Sequence, residues 1–259
     1  DLHSFPTRRS SDLLVSSKLN DICSYKAQRI PILPEVVNRD FVKSYLGHLD
    51  TIPIGVEKES LEIATINLKN SSIYTITGED ISIETDFIKA LIHNTLQVDN
   101  TECIVMDTNN ILGEMTEDRI MYEIDSCEKT IDKLKNVIAE NNQEKTYLCY
   151  FVNINSILGK LGSTEKMEFI NLIESGKRNG NVKYILIDGI ESIKTISYET
   201  WYKSSADLSE GIWLGNGLSN QFTLKVTTNS RTLRAEVSPG FAYVIKKGKA
   251  SLVKLLSDE

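Results

Sequence analysis

Eight residues, Gly78-Glu79-Asp80-Ile81-Ser82-Ile83-Glu84-Thr85, have the spacing of a loop that cradles phosphate. Such a loop takes a glycine, four variable residues, then Gly-Lys and Ser or Thr. Gly78 and Thr85 meet the pattern, but Ile83 stands at the second glycine and Glu84 at the lysine. The chemistry needs backbone N–H groups, a helix start and a cation, all aimed at an anion. Glu84 reverses the cation. At roughly 4 Å and an effective dielectric of about 20, a unit charge pair is worth about 4 kcal/mol in either direction. Repulsion on that scale outweighs a few backbone donors. Glu79, Asp80 and Asp86 add negative charge, and an acidic first turn stabilises a helix through its dipole without a ligand. The expectation is that the chain's own carboxylates occupy the anion position. An ordinary strand–turn–helix with an acidic helix start is the competing reading.

A nucleotide-hydrolysing site also needs an acid at the end of a second strand, to position Mg²⁺. The apolar run 147–152, YLCYFV, ends instead at Asn153, whose amide supplies no anionic charge. Asp188 closes the next strand and takes the place of a sensor rather than of the metal acid. No catalytic residue and no metal ligand is therefore expected, although Thr85 and Asp188 leave open a weak, rearranged site. Other chemistries lack their residues. Gly78 has no second glycine for a dinucleotide fingerprint, and Asp107 lies 29 residues on, too far for a ribose acid. His48 and His93 have no nucleophile context, and His93 reads as a surface or satisfied side chain. Lys177 and Arg178 could serve as an interface finger, or simply as positive charge at a helix end.

The elements that must hold these residues follow from periodicity. The stretch 73–96 reads as a buried strand, a tight turn at Gly78 and an amphipathic helix. Residues 103–106 form a second apolar strand. The segment 116–141 reads as one long helix capped by Thr116, because Ile120, Ile124, Cys127, Ile131, Leu134 and Ile138 recur at spacings of 4, 3, 4, 3 and 4. A helix over 164–174 stops at Gly176, and 184–187 is a strand. Further short strands fall at 222–226, 241–245 and 251–255, and 52–68 reads as an edge hairpin. Strands alternating with helices predict an α/β fold with a mostly parallel central sheet flanked by helices, plus short antiparallel strands. No internal repeat or low-complexity segment interrupts the pattern.

Composition narrows the class. The chain has 259 residues, 41% hydrophobic and 25% charged, enough for a real core. Its net charge of -7 and lack of a basic run argue against a nucleic-acid partner. No stretch is apolar enough to span a membrane. Cys23, Cys103, Cys127 and Cys149 are widely spaced and read as reduced thiols of a cytosolic domain. Residues 1–13, DLHSFPTRRSSDL, resemble a translated sequencing-adaptor remnant and are set aside as a non-native arm. Residues 14–50, with RIPILPEVV, read as a linker docking on a domain at 51–259, itself the C-terminal piece of something longer.

Several blocks together resemble the FtsK/SpoIIIE-type ATPase modules of type VII secretion motors, over about residues 20–259. They are RIPILPEVV, IPIGVEKESLEIATINL running into ITGEDISIET, ESGKRNGNVKYILID, WYKSS followed by EGIWLGNGLSNQ, and GFAYVIKKGKASLVK. The resemblance implies a RecA-like P-loop NTPase fold in a tandem array at the cytoplasmic face of the cell membrane, as the soluble part of a membrane-anchored protein. It implies other ATPase modules of the same chain as partners, secreted WXG/LXG-type proteins as substrates, and a possible homo-oligomer. Family members bind ATP and Mg²⁺. The departures at Ile83, Glu84 and Asn153 lead to the expectation of no cofactor, unless the degenerate site still binds ATP. Trp201, Tyr202 and Trp213 are candidate exposed anchors for a substrate, with core packing as the competing reading.

Overall fold

A computed structural model describes residues 32–228 and 231–258, together with Lys18. The chain divides into Asp1–Ile32 and Leu33–Glu259, and all the elements that follow belong to the second unit. Among the described residues the strands are β1 (Ile52–Glu57), β2 (Ile63–Ile66), β3 (Ile73–Gly78), β4 (Thr101–Asp107), β5 (Ile120–Glu123), β6 (Thr146–Val152), β7 (Val182–Gly189), β8 (Gly211–Leu214), β9 (Phe241–Lys246) and β10 (Lys249–Leu255). The helices are α1 (Thr85–Thr95), α2 (Cys127–Glu140), α3 (Ile154–Lys160), α4 (Ser163–Asn179), α5 (Ile190–Ile196) and α6 (Thr200–Lys203).

One sheet runs in the order β2-β1-β10-β9-β8-β3-β7-β6-β4-β5. From β8 to β5 neighbouring strands pair in parallel; from β8 to β2 they pair antiparallel. The central parallel strands β3, β7, β6 and β4 are buried on both faces, which explains their largely apolar runs. On one face, Phe87, Ile88, Leu91 and Ile92 of α1 pack with Tyr74, Ile76, Tyr150 and Ile187. On the other, α2 to α6 cover Ile104, Phe151, Tyr184 and Leu186. Phe151 anchors that layer, with its ring 5.0 Å from Phe169 and 5.9 Å from Tyr184; burying each such ring contributes about 1.5–3 kcal/mol. Beside this layer, the antiparallel strands are covered by short 3₁₀ turns and loop segments rather than α-helices, through Leu218, Leu224, Leu233 and Val237.

The α/β architecture, mostly parallel core and edge hairpin follow the sequence pattern. Three local expectations are corrected. Residues 120–123 are a strand paired with β4, and the helix begins only at Cys127, where Ser126, not Thr116, caps it by accepting the Lys129 N–H at 3.3 Å. Gly176 does not stop a helix. It lies inside α4, where a Cβ would come within 2.1 Å of the Tyr184 hydroxyl; the stop is Gly180, at φ +72°. Residues 222–226 are loop, while 211–214 form β8. Both edges of β8 are already taken by β3 and β9, so the later segment lies over the sheet face, with Leu224 buried and Phe222 exposed.

Candidate functional site

The register of the parallel strands lines up the carboxyl ends. Gly78 pairs with Gly189 and with Leu214, Thr77 with Asp188, Val152 with Ile187, and Asp107 with Val152. The phosphate-loop residues, Asp188, Asn153 and Asp107 therefore sit in one row, at the edge where open α/β sheets bind ligands. Gly78 has a structural reason of its own: a Cβ there would come within 2.4 Å of the Leu214 carbonyl oxygen.

The loop is closed on itself. Asp80 accepts the Ser82 N–H at 2.9 Å and the Ser82 hydroxyl at 2.6 Å, and those bonds lower its pKa. It caps the short 3₁₀ turn of Ile81–Glu84, which runs into α1 at the half-buried Thr85. Ile83, at the second-glycine position, is 60% exposed. Glu84 points elsewhere. Its carboxylate is buried and accepts the Gly240 N–H at 2.9 Å, at the turn before β9. Burial raises its pKa; the Gly240 bond lowers it and the nearby Asp86 raises it. Of the loop's carboxylates, then, it is Asp80 that takes a backbone donor of the loop, while Glu84 fastens the loop to a different strand. Glu79 is exposed.

The second half of the row is likewise engaged. Asn153 adopts a left-handed conformation (φ 59°, ψ 57°) between β6 and α3, and its N–H donates to the Ile187 carbonyl at 2.8 Å. Its side-chain N–H₂ is buried with no partner among the described residues. Asp188 is buried, accepting the Asn155 N–H at 2.9 Å and the Gly189 N–H at 2.7 Å. Burial raises its pKa against those bonds. Asp107, which sequence reasoning weighed only as a ribose acid, is fully buried and accepts the Leu112 N–H at 2.8 Å and the Tyr122 hydroxyl at 2.9 Å. The acid before the turn formers at 108–110 was its visible signal.

Mg-ATP asks this row for a cation at the triphosphate and a free carboxylate at the metal. The row offers Glu84 in the cation's place, an amide at the strand end, Asp188 with its two oxygens on backbone N–H groups, and Asp107, whose Oδ1 has no partner among the described residues. Among the described residues no cluster of three His, Cys, Asp or Glu side chains could hold a metal.

Other sequence candidates fall away from this row. Trp201, Tyr202 and Trp213 are 3%, 0% and 1% exposed, so they are core residues and not surface anchors. The Tyr202 hydroxyl lies 2.8 Å from Thr75 Oγ1, and the Trp213 indole donates to the Asn216 carbonyl at 2.6 Å. The Lys177 ammonium donates to the Ser204 carbonyl. His93 Nδ1 bonds Asp258 Oδ1 at 2.6 Å, and its Nε2 lies 2.8 Å from Glu117 Oε1. The most exposed aromatics among the described residues are Phe222 (95%) and Tyr198 (71%). Sequence reasoning missed both as surface residues; the signal was their polar flanks, Asn220-Gln221 and Ser197-Glu199.

The sheet order and the glycine turn leading into α1 define the fold of a RecA-like P-loop ATPase domain. Within that class, the chain is similar to EssC (ATPases 2 and 3) from Geobacillus thermodenitrificans, with a TM-score of 0.75 and 14% identity over 97% of this chain and 51% of that one. It is also similar to Thermomonospora curvata EccC (ATPases 2 and 3) in complex with a signal sequence peptide, at TM-score 0.67 and 11% identity over 100% and 50%. The cytoplasmic domain of EssC gives 0.68 and 14% over 99% and 55%. The chain thus spans about half the length of these solved chains. No family model matches the sequence, and no curated protein matches it. Among the described residues no helix is long and apolar enough to cross a membrane.

Proposed function

We propose that this chain is a catalytically silent ATPase-fold module of a type VII secretion motor of the EssC kind, part of a membrane-anchored protein at the cytoplasmic face of the cell membrane. Its work is to recognise exported WXG/LXG-type proteins or to regulate neighbouring ATPase modules of the same chain. The observation that carries the reading is Glu84, at the lysine position of an EssC-like fold, with its carboxylate committed to Gly240. A signal sequence peptide accompanies the similar EccC structure, which supports the recognition role. Neither nucleotide nor Mg²⁺ is needed for that role, and nucleic acid is not a partner. Homo-oligomers fit the same reading.

Calorimetry with Mg-ATP tests it. The expected result is no binding heat, for the natural chain or for Glu84→Lys. Micromolar binding by the natural chain would overturn the charge argument. Thr85 at the head of α1 and Asp188 in the same row favour a second reading, a weak ATP-binding module; hydrolysis abolished by Thr85→Ala would select it. A purely structural cap of the motor array is the third, selected by normal export when the module binds no substrate.

A further inference from the structure

Phe222 and Tyr198, the two most exposed aromatic side chains described, line the same cavity. It lies between α5, α6 and the loop after β8 and encloses about 450 Å³, within the roughly 300–1,000 Å³ of ligand pockets. Its inner wall includes Trp213, Leu208 and Ile190. One whole side, from Trp213 to Phe222, comes from the GIWLGNGLSNQF block, which the row of strand ends does not explain.

The charges at its margin are uneven. Lys194 is held by Glu191 at 3.5 Å. Lys203 lies 5.6 Å from the centre of the Tyr198 ring and has no carboxylate partner among the described residues. Glu79 lines the cavity without a cation partner among them. The loop is tied internally: the Gln221 side chain accepts the Leu224 N–H at 2.8 Å and donates to the Leu224 carbonyl at 3.0 Å. An aromatic rim on a tethered loop loses little entropy when it binds.

We propose that this cavity takes a peptide segment of a partner protein. A large apolar side chain inserts between Phe222 and Tyr198, an acidic residue faces Lys203, and a basic residue faces Glu79. The charge pattern decides the class. A nucleotide or other polyanion would meet the carboxylates of Glu79 and Glu191 with Lys203 as the one unengaged cation. A peptide presents both signs on either side of an apolar anchor, as the cavity does in reverse. The proposal rests on the recognition reading above and gives that reading a place.

Fluorescence anisotropy on the whole chain tests it with two labelled peptides. One carries a Leu-Phe anchor between Glu and Lys; the other replaces both charges with Gln. The charged peptide is expected to bind more tightly. Phe222→Ala should weaken both by about tenfold or more, the loss of a buried aromatic anchor. Lys203→Glu should weaken the charged peptide roughly threefold at low salt and leave the neutral one unchanged. Tyr198→Ala repeats the first test on the opposite rim, and thermal melting confirms that the variants fold. Binding of both peptides with affinities unmoved by Phe222→Ala and Tyr198→Ala would overturn the cavity assignment, as would no binding of either. Labelled export substrate separates the two readings. If it binds and the variants do not matter, recognition stands at another surface. If it does not bind at all, the recognition reading itself fails.

Discussion

Burial holds the Glu84 carboxyl above its ordinary value of 4.5. A group whose folded pKa is raised stabilises the fold below its unfolded value, and that contribution is lost as pH climbs through the folded value. Ionised Glu84 is therefore a liability at neutral pH, offset by the Gly240 N–H. Glu84→Gln keeps an acceptor for that N–H and removes the charge. The expected outcome is a higher Tm than the natural chain at neutral pH, with the difference shrinking as pH falls below the ordinary carboxylate range. Melting curves across pH check this; a gap that widens toward acid would contradict it. The acid at position 84, where the loop pattern asks for lysine, was legible in the sequence, because charge needs no geometry to recognise. The partner was not: Gly240 lies 156 positions along the chain, and no local pattern pairs the two. Nor could local pattern tell buried aromatics from exposed ones. Trp201 and Tyr202 have polar neighbours yet fill the layer under β3.

At the scale of elements, the apolar stripe from Ile120 to Ile138 obeys helical spacing but serves two elements. Ile120 and Tyr122 pack against the core as part of an edge strand, and the stripe resumes on α2 after Ser126. A period near 3.6 can arise where an alternating strand abuts a helix, so the cap decides the boundary. Ser126→Ala should cost about 1 kcal/mol, whereas Thr116→Ala should stay within roughly 0.5 kcal/mol. Denaturant titration of both variants distinguishes the boundaries; the reverse ranking would restore the longer helix. The alternation of Phe222, Leu224 and Val226 misled in the opposite direction, since a strand pattern yields a strand only where a sheet edge is free. By contrast β3, β6 and β7 were legible because continuous apolar runs bounded by turn residues allow few other structures.

For the molecule as a whole, net charge and sheet order make separate claims. The fold is shared with motors in general, so it does not choose a cargo. The charge of -7 bears on it: a net negative chain disfavours binding carried by phosphate contacts. The chain is expected not to be retained on duplex DNA even at about 50 mM salt. Salt-sensitive retention in a gel-shift titration would revive a DNA-translocating role. The covering of the antiparallel half by 3₁₀ turns and loop was not legible, because segments that pack as Leu218, Leu224 and Leu233 do leave no periodic trace.

The bond between Glu84 and Gly240 also constrains substitution at position 84. Lysine at position 84 would leave the Gly240 N–H without its acceptor in a half-buried turn, a loss of up to about 1–3 kcal/mol, while Ile83 and Asn153 still depart from the pattern. A change to the phosphate-loop lysine at that position is thus uphill for the fold before any benefit returns. Position 84 is tethered by the fold itself, while the surface and its partners are freer to change.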